Sequence, residues 1–556
     1  MSTDQRRRAP QVQCGNATDP GEAGGSPWES SLFFVKGRAS WNGFTLRDGP
    51  KPWKALRFWQ CPPVARLGSV VLLCFFSLLL FFFTRVRRPK NFPPGPRPLP
   101  ILGNLLQLDP VNPLKDLERL KRRYGNVFSL YIGSRPAVVL NGLEVVREAL
   151  VTHAEEYAGR PTHLLISHLF ESKGIVLANY GSSWRDHRRF ALTTLRKFGL
   201  GKRSMEERIL EEVSHICTEL ESSAGGSMDP QHLFHLTASN IICSLIFGER
   251  FEYDDPVILT LIQRLEELTK EAFGPWAMLY EIIPVLRPFP LPFRNILHKF
   301  NQMKEHIKKI VTKHKSSRVV GEPRDLLDCY LDQIDKTANG GSTFNDTHMV
   351  FLLLDLFMAG TDTTSNTLRS AVLHLMTNQH VQDRCYREIT NILEGRADAS
   401  FEDRHAMPYV QAMIHEVQRM SDTVPLGVFR TTCSDTQLHS YQLPQGTMVI
   451  PNLSSVLHEE GQWKFPHEFN PENFLNEVGE FVKPEAFLPF SAGSRVCLGE
   501  GLARMELFLV LVTLLRRFQF VWPEDGGVPD FSLIFGGTQS QKPFRLGVHL
   551  RSSERG

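Results

Sequence analysis

The chain has 556 residues, of which 42% are hydrophobic and 22% are charged, and its formal net charge is +3. These values are ordinary for a globular protein, and so small a net charge gives no argument for nucleic-acid binding. The nine cysteines are scattered without paired spacing, which argues against a zinc site and a disulfide framework and indicates a reducing compartment.

The N-terminal segment, residues 1–63, carries three arginines at Arg6–Arg8, several glycines and prolines, and no hydrophobic periodicity. It is predicted to be a largely disordered extension. Within it, Asn16-Ala17-Thr18 is a glycosylation sequon, which matters only if this end of the chain is luminal.

A charge-free segment follows. The stretch "LGSVVLLCFFSLLLFFFT" runs from Leu67 to Thr84, and a helix of this length spans about 27 Å. It begins too far along the chain for an ordinary cleaved signal peptide. A transmembrane anchor over residues 64–84 is predicted, with a buried core helix as the alternative. Basic residues lie on both sides, so the positive-inside rule leaves the orientation open.

Residues 85–98 are rich in proline, which favours an extended, stiff strip. This segment is predicted to be a hinge rather than a generic linker. Residues 99–556 contain no further linker and no repeat, so they are predicted to form one domain. Helical patterns dominate, and β-like pieces near residues 127–142 are the minority. The predicted fold class is mainly α with a small β portion.

Two charged patterns in the helical regions are weak signals. Trp184 and Arg188 lie four residues apart on one helical face, which equally fits an exposed basic helix. Glu416 and Arg419 are spaced i,i+3, a spacing that is common on helix surfaces.

The stretch "LFMAGTDTTSNTLRS" places one glycine and several threonines inside a long apolar helical pattern. These residues are poor helix formers. A threonine hydroxyl that bonds back to the carbonyl four residues earlier can bend or open a helix and form a notch. The simpler alternative is a helix interior that happens to be rich in threonine.

The stretch "FSAGSRVCLGEG" is the most specific pattern in the chain. Phe490, Gly493, Arg495, Cys497 and Gly499 fit F-x-x-G-x-R-x-C-x-G. The glycines allow a sharp turn that directs backbone N–H groups toward the sulfur, and the following helix start would stabilise a thiolate. Arg495 could neutralise a carboxylate of a bound cofactor. The alternative is an inert buried cysteine.

This loop, together with the "PPGPRPLPILGN" start, resembles the cytochrome P450 haem-thiolate monooxygenases, most closely the microsomal family two, from about Phe92 to the C-terminus. The resemblance implies the cytochrome P450 fold and a haem b cofactor. It makes Cys497 the proximal axial ligand of the haem iron, which favours O–O cleavage. Phe490 would pack against the thiolate loop.

The resemblance also implies roles for other positions. The family's A-G-x-D/E-T-T oxygen-binding groove matches Ala359, Gly360, Asp362, Thr363 and Thr364, where Thr363 would hold a water and Asp362 would help to deliver protons.

The haem propionates would be held by Trp184 and Arg188, and by Arg430, which stands where relatives commonly have histidine. Glu416 and Arg419 would form a buried structural pair. Its usual third member, an arginine, is replaced by Asn473.

As a whole, the resemblance implies insertion of one oxygen atom from O₂ into lipophilic small molecules (xenobiotics, fatty acids or steroids). The chain has no G-x-G-x-x-G dinucleotide site. Electrons are therefore expected from NADPH through NADPH-cytochrome P450 reductase, with cytochrome b5 as a second candidate donor. The loop Leu164–Leu177, Leu426 and Val428 would line an apolar pocket. The resemblance places the anchor in the endoplasmic reticulum membrane and the catalytic domain in the cytosol.

Two alternatives remain open from the sequence. A haem-thiolate isomerase or dehydratase would need neither O₂ nor a reductase, but such enzymes tend to lose the acid–threonine pair that Asp362 and Thr363 retain. A non-catalytic haem- or lipid-binding membrane protein would combine an intact cysteine loop with a disabled oxygen groove.

Overall fold

The computed structural model describes residues 63–84, 88–198, 203–337 and 342–551. The predicted extension up to residue 62 and the sequon at Asn16 lie outside the described residues. The chain divides into two compact units between Leu73 and Cys74.

Helix α1, Pro63–Thr84, covers the predicted anchor, so the helix itself is confirmed. Within the described part of the chain, no helix combines the length and the apolarity needed to cross a membrane. The anchoring role of this segment stays a prediction.

The body is mainly helical, as predicted. After α1 its helices are α2 (Pro113–Tyr124), α3 (Leu143–Arg147), α4 (Leu165–Leu169), α5 (Ser182–Lys197), α6 (Arg203–Ser222), α7 (Gln231–Ile246), α8 (Pro256–Glu271), α9 (Pro275–Ile282), α10 (Phe293–Ser317), α11 (Leu326–Thr337), α12 (Asp346–Thr377), α13 (Gln379–Leu393), α14 (Pro408–Ser421), α15 (Ser454–Leu457) and α16 (Glu500–Arg517).

The β portion is small, and in the described part of the chain it is divided among four sheets. Its strands are β1 (Val127–Ile132), β2 (Arg135–Leu140), β3 (Ser227–Met228), β4 (Arg430–Thr431), β5 (Thr436–Leu438), β6 (Tyr441–Leu443), β7 (Met448–Pro451), β8 (Phe518–Val521), β9 (Leu533–Ile534), β10 (Ser540–Gln541) and β11 (Leu546–Leu550). Among the described residues, the largest sheet has the order β1-β2-β7-β4, in which β1 and β2 pair antiparallel and coincide with the β-like pieces predicted near residues 127–142.

Helix α12 is the central element of the body. Asn345 caps its start by accepting a hydrogen bond from the backbone N–H of His348. Most of its side chains are buried, and it packs against α7, α10, α14 and α16. A helix that is apolar nearly all round belongs in the core of a large protein. This position brings the threonine-rich stretch next to the helix that follows the cysteine loop.

The proline-rich strip is attached to strand β1. The backbone N–H and the hydroxyl of Ser129 each donate a hydrogen bond of 2.7 Å, to the carbonyls of Pro94 and Pro93 respectively. A Cβ atom on Gly95 would lie 2.0 Å from the carbonyl oxygen of Ser129, so only glycine fits there. The C-terminal part of the predicted hinge is therefore fixed to the catalytic domain.

Candidate functional site

The cysteine loop is shaped by a close contact with another part of the chain. It contains a short turn at Gly493–Arg495, and the backbone N–H of Cys497 donates to the carbonyl of Phe490 at 3.0 Å. Gly493 has a φ of +72°, and a Cβ atom there would lie 1.6 Å from the carbonyl oxygen of Leu150. Because no other residue fits this approach, the glycine is a requirement of the loop.

Cys497 is accessible to solvent and forms no disulfide. Its sulfur nevertheless lies among enough protein atoms that burial raises the pKa of the thiol, while the backbone N–H of Gly499 and the charge of Arg188 lower it. The backbone N–H of the loop therefore favours the thiolate, as predicted, whereas burial favours the neutral thiol. A metal cation bound at the sulfur would stabilise the anion fully.

Four buried or half-buried arginines lie within electrostatic reach of one another. They are Arg160, Arg188, Arg430 and Arg495. Burial and then mutual repulsion lower the pKa of Arg430 to about 10 and that of Arg495 to about 9. Sequence analysis missed Arg160, because an isolated arginine before a proline carries no pattern of its own.

These guanidinium groups donate mainly to backbone carbonyls. Arg495 donates to the carbonyls of Ala158 at 2.9 Å and Ala178 at 2.8 Å. Arg188 donates to the carbonyl of Val496 at 2.5 Å, in the cysteine loop itself. Carbonyl partners satisfy N–H groups but do not neutralise the charge, so the cluster retains excess positive charge in the interior.

Arg430 has unused donors. Its Nη2 donates to the hydroxyl of Ser491 at 3.1 Å and to the carbonyl of Ala492 at 3.2 Å. Its Nε and Nη1 are buried and find no partner among the described residues. Unpaired buried N–H groups are costly unless a ligand satisfies them. This donor set fits a group that carries carboxylates, as haem does.

Trp184 has a different partner in the described structure. Its indole N–H donates to the carbonyl of Ile175 at 3.0 Å, and the guanidinium of Arg495 lies over its ring, 4.0 Å from the centroid. The ring of Trp184 therefore packs against the guanidinium of Arg495. Its predicted bond to a propionate stays a prediction.

One face of α12 opens where the motif predicted a notch. Ala359 is exposed and Thr363 is half-buried, whereas most of this helix is buried. The hydroxyl of Thr363 donates back to the carbonyl of Ala359 at 2.6 Å, as predicted, but the helix continues without a break. Gly360 faces α7, where a Cβ atom would lie 3.0 Å from the side chain of Ile242.

Asp362 is turned away from Thr363, its neighbour in the chain. It is buried and accepts a hydrogen bond from the hydroxyl of Thr538. Its Oδ1 lies 3.4 Å from Nε2 of His235 on α7. Sequence analysis did not identify these partners, which are about 130 and 180 residues away from Asp362.

The buried pair predicted at Glu416 and Arg419 is present. Two hydrogen bonds of 2.7 Å join the guanidinium and the carboxylate, and neither side chain is exposed. Asn473 Nδ2 donates to Glu416 Oε1 at 3.1 Å. The amide thus occupies the position of the expected arginine with a neutral donor, and the network has one cation fewer.

A second buried carboxyl connects the two central helices. Glu506 of α16 accepts a hydrogen bond of 3.2 Å from the hydroxyl of Thr364 on α12, and burial raises its pKa to about 8. No basic residue pairs with it among the described residues. Nothing in the pattern "ARMELFL" distinguishes this glutamate from a surface residue.

Comparison with known proteins decides the family. The model of the cytochrome P450 family matches residues 93–548. The chain belongs to the cytochrome P450 family. Cytochrome P450 2B4 of Oryctolagus cuniculus is 42% identical over 458 residues, which cover 82% of this chain and 93% of that protein.

Two further relatives cover the same region of this cytochrome P450. Vitamin D(3) 25-hydroxylase of Sus scrofa is 42% identical and cytochrome P450 2D6 of Homo sapiens is 41% identical, each over 483 residues. These alignments cover 86% of this chain and 97% of each relative. The chain is a monooxygenase of family two with a haem cofactor, which confirms the predicted enzyme class and sets aside the isomerase and the non-catalytic alternatives.

Proposed function

We propose that this cytochrome P450 inserts one oxygen atom from O₂ into lipophilic small molecules such as xenobiotics, fatty acids or steroids. The observation that carries the proposal is the combination of an accessible Cys497 with a buried arginine cluster that has unused donors. Haem, when bound, supplies the oxygen activation and the insertion.

The chain's own residues bind and orient this cofactor. Cys497 ligates the iron through its thiolate, and Phe490 supports the loop. Arg188, Arg430 and Arg495 hold the two carboxylates, whose negative charge offsets the repulsion among the guanidinium groups. The ring of Trp184 packs against Arg495 and restricts the motion of its guanidinium group.

The open face of α12, which carries Ala359 and Thr363, forms one wall of the oxygen-binding site. The small Ala359 keeps bulk away from this wall, and Gly360 lets α12 lie close to α7. Thr363 positions a water molecule, and Asp362 delivers protons to it. For that delivery, Asp362 has to leave its hydrogen bond with Thr538.

The substrate contacts an apolar wall. Leu164 and Leu426 are buried in one cluster, and Val428 is 38% exposed. Asp355 of α12 holds the adjoining loop through the backbone N–H groups of Ile175 and Val176, at 2.5 and 3.0 Å. An apolar wall on a fixed loop suits substrates that partition from a membrane.

The family uses a reductase as electron donor, and we propose NADPH-cytochrome P450 reductase, with cytochrome b5 as a second donor. Exposed basic residues on α5, such as Arg185 and Arg189, are suited to an acidic partner.

We also propose the endoplasmic reticulum membrane as the location, with a single anchor at residues 64–84 and a cytosolic catalytic domain.

The absorption difference spectrum of the reduced protein with and without carbon monoxide tests the cofactor site. A strongly red-shifted Soret band that disappears in Cys497→Ser is expected. NADPH oxidation with added reductase, in the presence of a panel of apolar substrates, then tests the reaction. A wild type that binds no haem, or that shows a histidine-like spectrum, would contradict the proposal.

A further inference from the structure

A polar cavity lies between α7, α8, α12 and the β9–β10 hairpin. Its volume is about 70 Å³, and its lining runs from the exposed Lys270 and Pro543 to the buried His235 and Asp362. A single water needs about 10–15 Å³ of such space. The cavity can therefore hold several waters beside the carboxylate of Asp362.

His235 is 2% exposed and faces oxygen atoms on both sides. Its Nδ1 lies 2.9 Å from the carbonyl oxygen of Gln231 and 3.6 Å from Oε1 of Glu266. Its Nε2 lies 3.4 Å from Oδ1 of Asp362. Gln231 also donates to the same Glu266 oxygen at 3.0 Å, which keeps that carboxylate near the ring.

These distances place an oxygen atom opposite each ring nitrogen of His235. A neutral imidazole has one N–H, so one of its nitrogens would face an oxygen as a lone pair. The arrangement is satisfied when the ring carries both protons, or when the proton of Nε2 resides on Asp362. The geometry therefore allows a proton to pass between His235 and Asp362, with the carboxylate of Glu266 beside the ring.

We propose that His235 reloads Asp362 with protons taken from this cavity, and that Glu266 stabilises the charged imidazole between transfers. This inference rests on the proposed function, in which Asp362 delivers protons toward Thr363. His235 acts through Asp362 and is therefore a positioning residue, not a catalytic one.

The transfer balances without a further reactant. The imidazolium gives its Nε2 proton to an oxygen of Asp362 and becomes neutral, while its Nδ1–H continues to donate to the carbonyl of Gln231. Nε2 then receives a new proton from bulk solvent, passed along the waters of the cavity, so that no hydroxide is left behind. One proton enters and one leaves in each cycle, and the ring need not rotate.

Other charges lining the cavity set the electrostatic balance. Helix α8 contributes Glu266 and Lys270, α12 contributes Asp362 and Arg369, and the hairpin contributes neutral side chains. Arg369 is 2% exposed, and its Nε has no partner among the described residues. It lies within electrostatic reach of both carboxylates, so it limits the negative charge that builds up when His235 is neutral.

The first experiment observes the proton directly. Histidine ¹⁵N signals are recorded against pH in the reduced, carbon monoxide-bound holoenzyme, and His235→Gln identifies the signal of His235. Asp362→Asn is expected to shift the titration midpoint of His235 by about one pH unit to lower pH, because a carboxylate that favours the imidazolium is lost. His232, an exposed residue on the same helix, provides the control signal and should not shift.

The second experiment measures proton delivery. With reductase and dodecanoic acid as the probe, hydrogen peroxide released per NADPH and the D₂O isotope effect on NADPH oxidation are compared. His235→Gln is expected to raise the hydrogen peroxide released per NADPH about threefold or more and to enlarge the D₂O isotope effect, because proton transfer becomes slower. Glu266→Gln, a partly exposed site that tolerates replacement, should show a smaller change, and His232→Gln none.

The outcomes are separable. Two results would overturn the inference. One is a titration midpoint of His235 that Asp362→Asn does not change. The other is a His235→Gln variant whose peroxide release per NADPH and D₂O isotope effect both equal those of the wild type. If the wild type shows no red-shifted Soret band with carbon monoxide, the proposed function fails, and the histidine titration on the same protein still decides whether the proton is shared.

Discussion

Arg430 shows how single residues in this protein are adapted to a ligand rather than to the stability of the ligand-free chain. Two of its donors have no acceptor among the described residues, and Arg188 adds repulsion. Such a group destabilises the empty site and strengthens binding of an anion, a trade that is common at functional sites.

Replacing this residue should separate the two effects. We expect Arg430→Met to lower haem affinity about 10- to 100-fold, since charge-assisted hydrogen bonds are worth about 1.5–3 kcal/mol. The same change should leave the haem-free protein as stable as the wild type or more stable. Haem titration and urea unfolding of the haem-free protein measure the two quantities.

Arg185→Met on the exposed face of α5 is the matched control, and it should change neither value. Equal losses of haem affinity in both variants would contradict the role given to Arg430.

The predictability of individual residues follows from how their neighbours are spaced. Cys497 and Thr363 were identified because their neighbours stand at fixed short separations. Arg160 and His235 could not be found, because each gains its role from contacts with segments more than 100 residues away. A single sequence without an alignment contains no signal for such contacts.

At the level of elements, α12 and α16 are joined by a polar contact inside an apolar interface. Burial raises the pKa of Glu506 to about 8, whereas the same group has an ordinary acidic pKa in the unfolded chain. The folded state therefore binds more protons between these values. This group lowers the free energy of unfolding as the pH rises toward 8.

Glu506→Gln should remove this contribution. We expect the pH dependence of unfolding between about pH 5 and 8 to become flatter by up to about 1.4 kcal/mol per pH unit, the value for one proton. Urea midpoints measured across this range test the effect. An unchanged dependence in the variant would show that the carboxyl is already ionised in the folded protein at these pH values.

Helix α14 is held to the chain around residues 465–473 through its internal pair of Glu416 and Arg419, which forms hydrogen bonds with backbone groups and with Asn473 of that segment. Arg419→Leu should lower the free energy of unfolding by about 3–5 kcal/mol, because Glu416 would remain buried without its partner. Asn473→Ala removes one neutral donor and should cost about 1 kcal/mol. Thermal unfolding of the two variants distinguishes these values, and similar losses would mean that the amide is as important as the guanidinium.

The predictability of elements has the same physical basis. The long apolar helical pattern around the threonine-rich stretch matches α12, and the helix start predicted after the cysteine loop matches α16, since long apolar periodicity survives tertiary packing. Strands of two or three residues such as β4 could not be predicted. Strand β4 forms because β7 supplies its hydrogen bonds, and β9 and β10 form because they pair with each other.

At the level of the whole molecule, the attachment of the proline strip predicts where the stable body begins. A chain that starts at residue 88 should unfold at the same urea concentration as the full chain. One that starts at residue 99 should lose about 1–3 kcal/mol, because the buried N–H and hydroxyl of Ser129 lose their acceptors.

Comparing these two truncations with the full chain in membrane flotation also tests the anchor. Both are expected to lose most of their membrane association, while the longer one retains its carbon monoxide spectrum. Membrane binding that is unchanged without residues 1–87 would assign the attachment to the body.

The interior arginine cluster has a consequence for the living cell. Ligands that bind only the folded state stabilise it in proportion to the logarithm of their concentration, and here the ligand also cancels an internal repulsion. Newly made chains that wait for haem stay in their least stable state, where quality-control proteases act on the unfolded fraction. The steady-state amount of this protein should therefore follow the haem supply of the cell, even when synthesis is constant.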